Sequence, residues 1–168
     1  KEISCGEPIF STPVVSGDRV YFATLGSRVF ALTPEGNLQW EWDFVKERLG
    51  FEHDRWSGEA WCRHKGARVT WRDQFCCSRN IALCGKTLVI PAGGAIVWLE
   101  DGGDRALFKQ IYAPKESPST LGLSIDAKDV VYRQWYRRDN CGSVEMLRLV
   151  GGKVQVAHVS GTATSYKG

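Results

Sequence analysis

Two cysteines stand side by side at positions 76 and 77, opening the run Cys-Cys-Ser-Arg-Asn. Adjacent cysteines can close a strained ring disulfide, and strained disulfides are the labile, redox-active ones. The other reading pairs each of them elsewhere, for example with Cys62 and Cys84. The chain of 168 residues holds six cysteines, Cys5, Cys62, Cys76, Cys77, Cys84 and Cys141. An even number without Cys-x-x-Cys spacing points to disulfides and an oxidising compartment. All six are therefore disulfide candidates, with buried free thiols as the alternative.

Cys62-x-His64, followed by Cys76, Cys77 and Cys84, has the ligand types of a zinc site. Structural zinc takes four sulfur or nitrogen ligands, usually as two closely spaced pairs. The spacing here is not of that kind, so disulfides are the stronger reading and no metal is expected. His53-Asp54 reads as a solvated loop pair. No Gly-x-Ser-x-Gly elbow and no His-Glu-x-x-His helix occurs, so no catalytic residue is assigned. His158 falls on an expected strand and reads as structural. The run Pro-Ala-Gly-Gly-Ala-Ile at 91–96 lacks the Lys-Ser/Thr and the helix that a phosphate loop needs.

Tryptophan is unusually frequent, with seven in the chain. Trp56, Trp61 and Trp71 lie among Arg55, Arg63, Arg68 and Arg72, and Trp135 lies in a second aromatic–basic run that ends in Arg137 and Arg138. Trp and Arg dominate binding hot spots and pair through cation–π contacts. The candidate interaction surface is thus Trp56, Trp61, Trp71, Arg72, Trp135 and Arg137. The alternative is a loop that folds its own tryptophans into a minor core. Sugar binding by these tryptophans is a lesser reading.

The elements that must hold these residues are strands. Ser11–Val15 starts with a proline that cannot donate a ladder hydrogen bond, as suits an edge or a strand start. Arg19–Thr24, Arg28–Leu32 and Asn37–Phe44 follow, separated by turn residues at Ser16-Gly17-Asp18, Leu25-Gly26-Ser27 and Thr33-Pro34-Glu35-Gly36. Residues 81–112 repeat that order, with turns at Gly85-Lys86, Gly93-Gly94 and 100–104. Residues 119–157 repeat it again, with a longer loop after the second strand. Such a four-stranded meander cannot bury both its faces alone and must stack on copies of itself. The stretch 45–75 breaks the period. It reads as an inserted loop with a short helical turn near Val45–Leu49.

The repeats resemble those of the pyrroloquinoline-quinone-type (PQQ-like) β-propeller family. The matching residues are Ser11-Thr12-Pro13-Val14-Val15, Gly17-Asp18-Arg19-Val20-Tyr21, Ala31-Leu32 and Gly36-x-x-x-Trp40. The resemblance implies an all-β fold, a partial β-propeller of about three four-stranded antiparallel blades. The divisions are blade one 8–44, an inserted Trp/Cys-rich loop 45–75, blade two 76–114, blade three 117–159, and 160–168 as the start of a further strand. It implies that Trp40 docks blade one on its neighbour. The second repeat offers Phe108 or Tyr112 for that part, and the third has no tryptophan there.

Family rings close at about seven or eight blades, so the missing ones are expected on another polypeptide chain or in sequence beyond this stretch. The leading expectation is a non-catalytic propeller subunit or fragment, a binding or assembly scaffold in a larger extracytoplasmic complex (periplasmic, cell-surface or secreted). No cofactor is expected on that reading. The alternative implied by the family is part of a quinone-dependent alcohol dehydrogenase. Cys76 and Cys77 would then form a vicinal disulfide at the pocket of the cofactor PQQ.

Composition agrees with these readings. The net charge is +3, and the basic residues are scattered, whereas nucleic-acid binders concentrate them on one face. No apolar run approaches the length of a membrane span. The chain starts at Lys1 without a signal peptide, which reads as a processed product or a fragment. No Asn-x-Ser/Thr acceptor is present, which slightly favours a bacterial envelope.

Overall fold

The run Leu88-Val89-Ile90 has no polar side to turn to water, and a strand buried on both faces reads that way. The computed structural model describes residues 2–66, 68–114, 120–136 and 142–159. In it Leu88, Val89 and Ile90 are all fully buried, at the centre of three stacked sheets.

Blade one comprises β1 (Val14–Ser16), β2 (Arg19–Ala23), β3 (Arg28–Leu32) and β4 (Leu38–Asp43). Blade two comprises β5 (Ala82–Cys84), β6 (Thr87–Ala92), β7 (Ala95–Asp101) and β8 (Ala106–Tyr112). Blade three comprises β9 (Thr120–Ile125), β10 (Val130–Tyr136), β11 (Gly142–Val150) and β12 (Lys153–Val159). Each is an antiparallel meander in sequence order. First strands touch first strands, β1 to β5 and β5 to β9, and fourth strands touch fourth strands, β4 to β8 and β8 to β12. The sheets therefore stack radially, as propeller blades do.

Period-two alternation decides which neighbour each side chain meets. Tyr21, Ala23, Val29, Ala31, Trp40 and Trp42 pack toward blade two, where Leu88, Ile90, Val97 and Leu99 meet them. Val89, Ile96 and Trp98 pack the other way, onto Val131 and Leu147 of blade three. Each blade thus has a forward face toward its successor and a rear face toward its predecessor. At the ends of the stack these faces differ. The rear face of blade one buries Phe22, Phe30 and Leu32 beside Cys5 and leaves Val15 66% exposed. On blade three, Val150 stays 44% exposed.

The stretch expected as an inserted loop holds three helices, α1 (Phe44–Leu49), α2 (Gly58–Lys65) and α3 (Trp71–Gln74). Their ends are set by capping residues. Asp43 accepts from the Val45 and Lys46 amides at the start of α1, and Gly50 ends it in the left-handed region. Ser57 accepts from the Ala60 amide, and Gly66 closes α2 at φ 66°. Such caps let short helices form where propensity alone would not.

A second difference lies in blade three. The aromatic–basic run expected on a long loop is strand: β10 continues to Tyr136, and Arg133 is fully buried. Arg137, Cys141 and the expected further strand at 160–168 lie outside the described residues. Among the described residues no helix is long and apolar enough to cross a membrane.

Candidate functional site

The helical insertion is fastened to one face of the stack, the face that carries the turns between second and third strands. Cys77 N donates to Leu25 O at 3.0 Å in the blade-one turn, and Gly93 N donates to Cys76 O at 3.0 Å in the blade-two turn. Gly94 N donates to Asp73 O at 3.3 Å, and the Ser27 hydroxyl donates to Phe75 O. Gly93 has φ +58°, and a Cβ there would lie 2.3 Å from Asp73 O. Only glycine lets α3 sit this close. The N-terminal run crosses the same face: Leu25 N donates to Pro8 O at 2.7 Å, and Ser11 Oγ donates to Ala23 O at 2.7 Å. Arg55, below α2, donates to Gly26 O at 2.9 Å and pairs with Asp43 and with Glu7.

Between these parts opens a cleft of about 340 Å³, lined by Phe10, Trp71, Arg72, Cys76, Arg79 and Leu121 among others. The Arg72 guanidinium lies 4.9 Å from the Trp71 ring centre. Neither Arg72 nor Arg79 has a carboxylate partner among the described residues. Burial raises the Cys76 thiol above its usual value, partly offset by the Ser78 hydrogen bond and the two guanidinium charges. Burial and the neighbouring Cys76 push the Cys77 thiol up to about 12. Both are therefore thiols at neutral pH, and neither is an activated nucleophile.

Cys5, Cys62, Cys76, Cys77 and Cys84 are all unbonded. Cys76 lines the cleft, whereas Cys77 is fully buried and donates to Arg79 O at 3.7 Å. The Cys62 thiol turns to Val69 O on its own helical insertion. No group of three His, Cys, Asp or Glu able to hold a metal occurs among the described residues.

The candidate surface residues separate. Trp61 is fully buried, stacked on Phe51 at 3.9 Å, with Nε1 donating to Arg55 O at 2.8 Å. It belongs to the core of the insertion and is not available to a partner or a sugar. Trp56 is 36% exposed and meets Trp71 and Phe75 edge-on, 5.2 and 5.5 Å between ring centres. Trp71 and Arg72 reach the cleft. Trp135 is half-buried on β10, and its Cα is the sheet partner of Thr120. His53 and His64 set their edges on the Phe51 ring and line a separate cleft of about 470 Å³ beside α2.

The blade seams are built from polar groups that the sequence reading passed over. Trp40 is buried, and its Nε1 donates to Asp101 Oδ1 at 2.9 Å. Tyr21 Oη donates to Asp101 Oδ2 at 2.6 Å, and Gly103 N donates to Asp101 Oδ1 at 2.7 Å. Between blades two and three, Arg133 pairs with Glu145 at 3.1 Å, and both are almost wholly buried. Arg133 also donates to Thr120 Oγ1 and to Gly94 O, and Tyr112 Oη to Glu145 Oε1. The residue at the register of Trp40 in blade two is neither Phe108 nor Tyr112. Trp40 lies opposite Ala31, and its counterpart opposite Trp98 is Gln110, whose Nε2 donates to Gly152 O at 2.5 Å. Counting cross-strand partners from the turns finds Gln110, whereas looking for an aromatic does not.

No protein-family model and no curated protein matches this sequence. Solved structures do match. One is a quinohemoprotein alcohol dehydrogenase from Comamonas testosteroni, at 16% identity and TM-score 0.59, over 90% of this chain. Another is BamB from Moraxella catarrhalis, at 12% identity and TM-score 0.58, over 98% of this chain. The chain spans 21% of the first and 43% of the second. At these identities the likeness is one of fold: three consecutive four-stranded blades of a β-propeller.

Proposed function

We propose that the chain is a non-catalytic propeller segment, a scaffold whose open end faces are completed by further blades in an extracytoplasmic complex. The observation that carries this reading is the contrast between seams and ends. The two inner seams bury apolar side chains together with hydrogen-bonded polar groups. The outer faces leave Val15 and Val150 in water, and proteins of this size rarely leave such sheet faces uncovered. The thiols of the cleft, held protonated by burial, suit a structural part better than a nucleophilic one. The extracytoplasmic placement rests on the even set of six cysteines and on the kind of propeller the fold matches.

Native, non-reducing mass spectrometry of the protein isolated from its source tests this. The expected result is a complex with a larger polypeptide. Recovery of this chain alone, at its own mass, overturns the scaffold reading.

The second reading, part of a quinone-dependent dehydrogenase, is favoured by one feature. The cleft is lined by Trp71, by Arg72 over its ring and by Arg79, neither arginine having a carboxylate partner among the described residues, which suits a planar anion. Cys76 lines the same cleft. Titrating the protein with PQQ while recording tryptophan fluorescence and visible absorbance decides it: quenching that Arg72→Ala weakens supports the reading, and an unchanged spectrum removes it.

A further inference from the structure

The three blades can be superposed residue by residue through their Cα partners. Tyr21 lies opposite Val14 and Ala31, Val89 opposite Ala82 and Trp98, and Tyr132 opposite Ser124 and Met146. The fourth strands then align as Trp40, Gln110 and Ala157. The first two use that position in the same way. Each sends a nitrogen donor across the seam to the turn between the third and fourth strands of the next blade. Trp40 reaches Asp101, and Gln110 reaches the carbonyl of Gly152. The third blade has an exposed alanine there. Over it lies a groove of about 320 Å³, lined by Tyr132, Met146, Arg148 and Gln155 with Ala157.

The rest of this face can be set against the grip that blade one has on Asp101. There the carboxylate is held by Tyr21 and Trp40, with Arg19 Nε at 3.6 Å. On blade three, Tyr132 occupies the Tyr21 register, but its hydroxyl donates to Asp126 of its own blade at 3.3 Å. Arg148, exposed, lies opposite Val130, which has the Arg19 register. The arginine has thus moved one strand over, and it lines the groove with Tyr132. Arg148 has no carboxylate partner among the described residues.

We propose that the forward face of blade three receives a further blade of defined chemistry. That blade brings a carboxylate at the end of its third strand to meet Arg148. It also brings a bulky apolar side chain that fills the groove over Ala157 and Met146. The occupant follows from continuity, because the same face of blades one and two is a blade–blade seam, and from the charge that faces it. The inference rests on the scaffold reading but adds which face is used and what the partner must carry.

The probe is a fused copy of this protein's own blade two, residues 76–114, appended to the full chain after Gly168. Its third strand ends in the copy of Asp101, and its rear face carries Leu88 and Ile90. Met146 is the only methionine in the chain, so its hydroxyl-radical oxidation reports on the groove alone. Docking lowers that oxidation about tenfold against the unfused chain, the factor that corresponds to about 1.4 kcal/mol. Arg148→Glu in the host restores oxidation, and a further Asp→Arg change at the appended copy of Asp101 protects Met146 again. A fused copy of blade one, whose equivalent residue is Pro34, protects less. Oxidation of Met146 at the unfused rate, or protection indifferent to Arg148→Glu, overturns the proposal. The mass spectrometry of the native complex is independent: a complex that leaves Met146 freely oxidised sinks this inference and spares the scaffold reading.

Discussion

Trp40 Nε1 and Asp101 Oδ1 lie 2.9 Å apart across the seam between blades one and two, joined by a hydrogen bond that spans 61 residues of sequence. The indole is buried, so its loss combines a cavity with an orphaned acceptor. Trp40→Ala is expected to cost about 3–5 kcal/mol in urea unfolding. Trp40→Phe keeps most of the volume and is expected to cost about 1–3 kcal/mol, chiefly the hydrogen bond. A loss below about 1 kcal/mol for the alanine variant refutes the docking role.

Asp101 sets the acid limit of stability. Burial acts to raise its carboxyl, but the hydrogen bonds from Tyr21, Gly103 and Trp40 and the Arg19 charge outweigh it and lower it. A group whose folded value is depressed stabilises above its unfolded value, about 4, and loses that contribution as pH falls through the folded one. Tyr21 has the opposite sense. Burial and then Asp101 raise its phenol, so its contribution is complete below about pH 10 and is lost as pH rises toward the folded value. Melting temperature measured from pH 2 to 7 should fall less steeply in Asp101→Asn than in the parent. An identical acid limb in both proteins contradicts this.

The Arg133–Glu145 pair calls for a double-mutant cycle. Removing one partner leaves a buried charge alone, and Glu145→Leu or Arg133→Met is expected to cost about 3–5 kcal/mol. The double variant, with two apolar side chains in contact, should recover much of that loss. Additive losses would mean that the two residues act separately.

Gly93→Ala forces a Cβ against the Asp73 carbonyl in a left-handed conformation. The expected outcome is a loss of more than about 1 kcal/mol, with a red shift of tryptophan emission as α3 and Trp71 lift from the blade-two turn. A variant as stable as the parent, with unchanged emission, shows that α3 does not need this close approach.

Thiol labelling checks the cysteine arrangement. Iodoacetamide on the native, non-reduced protein should leave Cys77 unmodified, since it is fully buried and its thiol is raised to about 12. Cys76 at the cleft should react slowly, and unfolding should expose both. A peptide two mass units light that contains Cys76 and Cys77 would reveal the ring disulfide and overturn the free-thiol arrangement.

The strands were legible because their signals are local. Gly17-Asp18, Gly85-Lys86 and Gly151-Gly152 mark tight turns, and the alternation between them places alternate side chains on opposite faces. The helices of the insertion were less so. α2 lies between Ser57 and Gly66, which read equally as loop residues, and its mixed composition carries no apolar stripe that a periodicity could reveal. Trp61 has the composition of an exposed hot spot, and only the fold of the insertion stacks it on Phe51. Arg133 misled in the same way. Arginine in an aromatic–basic run suggests a surface, and its burial depends on Glu145, a partner brought beside it by strand pairing. Polar seam residues such as Asp101 and Gln110 looked like ordinary turn and strand positions, since their role depends on a neighbouring blade.

The two seams of this stack differ in what holds them, and temperature should separate them. The first is dominated by indole and aliphatic surface, whose removal from water weakens as a driving force on cooling and carries a large heat capacity. The second adds a buried guanidinium–carboxylate pair, whose dehydration penalty shrinks on warming. Cooling therefore weakens both seams, whereas warming relieves the dehydration cost of the Arg133–Glu145 pair and favours the second seam over the first. A stack built from one repeated unit thus carries a thermal polarity along its length, with the seam that gains from warming at the Arg133–Glu145 end.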